Sequence, residues 1–168
     1  CNPSRNSFMT GRRPCDTMTW NDLHSFRDYP LSANWTTMPG VFKDQGFLTL
    51  GVGKLFHDGQ PANGDGTRSW TDAAVQWNPY APIAGQYYVP GVTKCNASAG
   101  LATGDGNWCP EDVPASGDGA YFADVNATDH ALRQLEYSAA QRNATGRPFF
   151  LGLGLRRPHL DWHYPLPY

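Results

Sequence analysis

The sequence has 168 residues, 40% of them hydrophobic and 13% aromatic. That is enough apolar material for one buried core, and too much for a disordered chain despite 18 Gly and 14 Pro. Charged residues make up 17% and the formal net charge is −2, without the basic excess that a nucleic-acid partner calls for. No apolar run approaches the roughly 20 residues of a membrane span. The chain opens at Cys1 with neither an initiator Met nor a signal peptide, which is expected of a processed start or of an internal piece of a longer protein.

Pro3 in a first turn, the run SRNSFMT and then Gly11 predict a short helix with Cys1 at its mouth. Met38 to Gln45 predicts a second, ended by Gly46. Phe47 to Val52 is short and mostly apolar, the pattern of a buried strand. From Asp58 to Asp124 the chain is rich in Gly, Pro, Asn and Trp and reads as an excursion of loops. Gly-Asp-Gly recurs there at Asp65, Asp105 and Asp118 with irregular spacing, so we read turns rather than a repeat or a calcium loop. Thr128 to Arg142 places Leu132, Leu135 and Ala139 on one helical face and stops near Gly146. Phe149 to Leu155 follows as a second buried strand. Helix and buried strand in alternation predict an α/β fold with a mostly parallel sheet.

Polar residues collect just past the predicted strands. Lys54 and His57 follow the first; Arg156, Arg157 and His159 follow the second. Ligands of open α/β sheets bind beyond the carboxyl ends of strands, and Cys1 and Arg5 open a helix whose free N–H groups attract anions. An anionic substrate is the inference. Each part also has an ordinary reading: Lys54 and His57 as loop polars, Arg156 and Arg157 as a solvated edge. His159 and His163 are spaced for a metal pair on a helix, but Pro158 and Pro165 oppose one. GVGK lacks the remainder of a phosphate loop, and Ser7 stands where a thiol phosphatase needs Arg.

Four cysteines without a C-x-x-C pair make neither a disulfide scaffold nor a zinc site. Asn-X-Ser/Thr triplets occur at Asn34, Asn96, Asn126 and Asn143, the pattern of an exported glycoprotein. In that setting Cys95 and Cys109 read as a disulfide, and otherwise as two buried thiols. Cys15 has no evident partner.

The opening carries the most information. Cys1, Pro3, Ser4, Arg5, Thr10, Gly11 and Arg12 resemble the type I sulfatase signature C-x-P-S-R-x-x-x-x-T-G-R at every fixed position. GRRP, FKDQGFLTLGVGKLFH, the stretch around Cys95 and Cys109-Pro-Glu-Asp-Val, and RPFFLGLGLRRPHLDWHYP continue the likeness across nearly the whole chain. The Lys54-x-x-His57 spacing is similar to the iduronate-2-sulfatase subfamily. The resemblance implies an alkaline phosphatase-like α/β/α sandwich, of which residues 1–168 would be a partial catalytic domain with both flanks missing.

It also implies a chemistry. Cys1 would be oxidised to formylglycine by the formylglycine-generating enzyme. A thiolate attacking a sulfate ester ends in a stable adduct. A hydrated aldehyde offers two hydroxyls on one carbon, one to attack sulfur and one to let sulfate leave. Calcium, with Cys1 as formylglycine among its ligands and the others outside this chain, would polarise the sulfate, Arg5 would hold the hydrate and its metal-bound neighbours, and Lys54 would bind sulfate oxygens. His57 would assist sulfate release, His159 would contact sulfate and protonate the leaving alcohol, and Arg156 would join the substrate side. The substrate is expected to be a sulfated sugar or polysaccharide, including glycosaminoglycan sulfates, met in the secretory route, in lysosomes or outside the cell.

Some family features are missing. Adjacent Asp residues before the signature, a late acidic or polar pair and a late Lys belong to the family's site and do not occur in these 168 residues. Asp16, Asp22 and Asp161 do not match those positions, Cys15 is an insertion, and His163 stands where the subfamily has Arg. Other readings are an inactive sulfatase-like glycan binder, a phosphate or phosphonate monoester hydrolase of the same superfamily, and an N-terminal nucleophile amidohydrolase using the Cys1 amino group.

Overall fold

The computed structural model describes residues 1–57, 59–71, 108–111, 123–156 and 162–165. His159, Arg157, Cys95 and Asn96 lie outside these, as do the side chains of Cys109 and Asn126.

The first helix, α1, runs from Asn2 to Thr10. Pro3 supplies its first turn without needing an N–H, and Gly11 ends it in the left-handed region at φ 67°, its N–H donating to the Ser7 carbonyl. Pro14–Thr17 forms a single turn, α2. The third helix, α3, spans Met38–Asp44 and is capped by the Thr37 hydroxyl, which accepts the Gly40 N–H. Strand β1 is Leu48–Gly53, buried throughout. A turn of 3-10 helix at Ala62–Asp65 and a short helix, α4, at Gly66–Ser69 follow, so the loop-rich stretch opens with an ordered, packed turn around buried Trp70. Trp108–Glu111 is β2, Ala123–Thr145 is α5, Phe149–Gly154 is β3 and Trp162–Pro165 is β4.

Strands β1 and β3 pair in parallel from Leu48 opposite Phe149 to Gly53 opposite Gly154, and β2 pairs with β4 in parallel. Side chains alternate across the first pair, and each face packs against helices, but β3 is not the fully buried strand expected: most of it is half-buried and Leu153 is 43% exposed. On one face Val52 and Leu151 pack against Ala127 and Ala131 of α5. On the other, the Phe42 ring of α3 stacks on Phe150 at 4.7 Å, and Trp70, Met9, Phe26 and Phe56 form the main core. The strand pair is therefore sandwiched between helices, as the alternation predicted.

Two corrections concern α5 and its contacts. The expected face of Leu132, Leu135 and Ala139 is not the packed one: Leu132 is 54% and Leu135 44% exposed, whereas Ala127, Ala131 and Ser138 are buried. Small side chains let the helix axis approach the sheet, so the packed stripe holds alanines and a serine in place of the larger leucines. Helix α5 also begins five residues earlier than expected, at Ala123.

Buried polar links flank the main core. Arg27 grips Asp65 with two bonds, Nε at 2.7 Å and Nη2 at 2.8 Å, and donates to the carbonyls of Ala33 and Trp35. The Ser69 hydroxyl bonds both Asp65 and Thr37. Because removing one partner of a buried pair strands the other charge, this network fixes the 25–37 segment to the turn after β1.

Candidate active site

The residue that precedes helix α1 faces solvent. Cys1 is exposed, holds a free thiol, and makes no side-chain capping bond. Its carbonyl accepts the Arg5 N–H at 3.0 Å, the first turn of the helix. Residues 1 and 5 stand four apart, so they share one face, and Arg5 is half-buried there. A reactive group at position 1 can thus be exposed without costing the helix its cap.

The mouth is held rigidly from beneath. Asn2 is fully buried, and its side-chain amide donates to the carbonyls of Asn21 at 2.8 Å and His24 at 2.5 Å. Asn6, also fully buried, donates to the Asn2 carbonyl and side-chain oxygen and accepts the Phe26 N–H at 3.3 Å. Two buried carboxamides one turn apart therefore sew α1 to the 21–26 segment.

Lys54 and His57 come from the carboxyl end of β1. Gly53 takes φ 77°, and a Cβ there would collide with the Gly154 carbonyl, so only glycine lets the strands close so tightly. That approach lets the Lys54 N–H donate to Gly154 at 2.6 Å and leaves Lys54 4% exposed. A lysine so buried is an expensive charge unless it has polar company. His57 is half-buried and bridges back to Gln60. Arg156 stands two residues beyond the same junction, its N–H donating to the Asp124 carboxylate at the start of α5.

Asp22 connects the two halves. Its Oδ1 accepts the Asn2 N–H at 3.1 Å and lies 3.9 Å from His57 Nε2. The Asn2 N–H holds this carboxyl below the ordinary carboxylate value, burial opposes the shift, and the positive charges of His57 and Lys54 reinforce it. Through Asp22 the structure links the mouth of α1, where Cys1 and Arg5 share a face, to His57, three residues past Lys54 at the end of β1; Arg156 follows the end of β3, and His159 lies outside the described residues. Sequence reasoning set Asp22 aside because it fits no metal position. Its contacts span 20 and 35 residues, so no local pattern announces it.

A family profile described as Sulfatase matches residues 1–168. The chain belongs to the sulfatase family. It is 35% identical over 167 residues to mouse iduronate 2-sulfatase and 34% identical over 167 to the human protein of that name, in each case 98% of this chain. A protein described as Sulfatase from Formosa agariphila is 28% identical over 173 residues. The chain spans 28–31% of the length of these relatives. The family assignment makes the described strand pair and its flanking helices part of an alkaline phosphatase-like sulfatase domain.

Among the described residues no group of three or more His, Cys, Asp or Glu could hold a metal ion. Asp22, the acid nearest the mouth of α1, already accepts the Asn2 N–H. The described donor set therefore does not by itself fit calcium. No helix among the described residues is long and apolar enough to cross a membrane.

Proposed function

We propose that the full-length protein hydrolyses a sulfate ester of a sulfated sugar, and that this chain supplies its nucleophile and much of its sulfate-binding face. The observation that supports the reading is that exposed Cys1 precedes the signature helix, whose first N–H is tied through Asp22 to His57, three residues past Lys54. Conversion of Cys1 to formylglycine by its generating enzyme would supply a hydrated aldehyde as the attacking group. The exposed, non-capping position of Cys1 suits such a modification.

The remaining roles belong to side chains of this chain. Lys54 is held in a water-poor position, where an ammonium stabilises charge growing on sulfate oxygens more strongly than it would in water. Arg5 shares the face of residue 1 and anchors its oxygen atoms. His57 moves a proton as sulfate departs, and His159 serves the leaving alcohol. Arg156 extends the cationic edge toward the substrate. A sulfated uronic acid sugar of a glycosaminoglycan is the substrate class favoured by the likeness to the two iduronate 2-sulfatases. Maturation in the secretory route, with glycans on the four sequons and a Cys95–Cys109 disulfide, completes the reading.

The test is the full-length protein made with the generating enzyme. The signature peptide should carry formylglycine by mass spectrometry, and the protein should hydrolyse a small aryl sulfate. Cys1→Ala should abolish turnover without moving the melting temperature, since Cys1 caps nothing. Active protein carrying only unmodified Cys1 would refute the proposed nucleophile.

A further inference from the structure

We propose that Asp22 is a positioning residue of this site: its carboxylate ties the His57 imidazole to the first N–H of α1, and so fixes His57 relative to residue 1. The inference rests on the sulfatase reading above.

The 21–24 segment is irregular chain clamped from two sides. The Asn2 amide holds the carbonyls of Asn21 and His24, and Gln60 Nε2 donates to the Leu23 carbonyl at 2.7 Å. Gln60 in turn bridges to His57. Asp22 sits between the clamps, and one oxygen, Oδ1, faces both the Asn2 N–H at 3.1 Å and His57 Nε2 at 3.9 Å. The second distance is too long for a hydrogen bond but within the range of attraction to an imidazolium.

Core packing does not explain the residue. The Asp22 side chain is 58% exposed, and water could satisfy a helix N–H at an open mouth. A carboxylate beside an anion pocket also repels the ligand unless its charge is engaged. Here it faces His57, with Lys54 near enough to help hold it ionised. The physical role left is to orient the imidazole, at some cost in anion affinity.

The variants Asp22→Asn, Asp22→Ala, His57→Ala and Asp22→Asn/His57→Ala separate the roles in the matured full-length protein. Asn keeps an oxygen for the Asn2 N–H but removes the charge. D22N should lower kcat by roughly 10–100-fold, the usual effect of removing a partner that orients a functional histidine. Its KM for an aryl sulfate should stay level or fall, and its melting temperature should hold. D22A should lose similar activity and in addition lower the melting temperature by on the order of 2 °C through the lost helix-terminal bond. In the H57A background D22N should cost nothing further. The His57 ring nitrogen signals in 15N NMR should move in D22N. Wild-type kcat in D22N, or an undiminished D22N loss without His57, would overturn the inference. Should the wild type show no sulfatase turnover, the sulfatase reading fails; the ring signals then decide, a shift upholding the Asp22–His57 link and unchanged signals refuting it.

Discussion

At the scale of single residues, burial separates the candidate cations. Lys54 is 4% exposed at a strand end where glycine backbones leave no room for side chains, whereas Arg5 and His57 are half-buried. An ammonium kept from water acts on nearby negative charge with little screening. Lys54→Ala in the full-length protein should therefore raise the barrier by about 2.7–4 kcal/mol, on the order of 100- to 1000-fold in kcat. Rates on a small aryl sulfate check this, and near-normal turnover would place the sulfate elsewhere. Much of this scale was legible beforehand. The signature fixes the identities of Cys1 and Arg5, and the apolar run before Lys54 marks a strand end. Asp22 was not legible, because its partners lie across the fold at Asn2 and His57.

Among the elements, those with local punctuation followed the sequence. Pro3 and Gly11 bound α1, Thr37 and Gly46 bracket α3, and the apolar runs became β1 and β3 within one residue of their expected starts. The packed face of α5 did not follow, because apolar periodicity weighs leucine above alanine while close helix–sheet contact selects small residues. Ala131, 7% exposed, touches the cluster of Val52 and Ala127. Ala131→Leu should therefore overpack that contact and destabilise by about 1–3 kcal/mol, whereas Leu132→Ala, at a site 54% exposed here, should cost less. Chemical denaturation of the full-length pair measures the contrast. The reverse order would restore the leucine face as the packed one.

For the chain as a whole, a net charge of only −2 gives no general pull on anions, so the attraction proposed for a sulfated substrate rests on local groups such as buried Lys54. The compartment is also a property of the whole. Asn34 and Asn143 are exposed, in the segment before α3 and near the end of α5 respectively, so a glycosyltransferase acting on the folded surface could reach both. They differ in backbone: Asn34 lies in a turn, whereas Asn143 and Thr145 are helical and the Thr145 hydroxyl donates to the Gln141 carbonyl. A sequon presented in a turn leaves its hydroxyl and amide free to adopt the acceptor geometry, which a helix withholds. Protein secreted from a eukaryotic host should therefore lose apparent mass on glycosidase treatment, and Asn34→Gln should remove more of that mass than Asn143→Gln. Peptide mapping of each site provides the measurement. A secreted protein with bare Asn34 and no mass shift would set aside the glycoprotein reading and, with it, the oxidising route expected for Cys95 and Cys109.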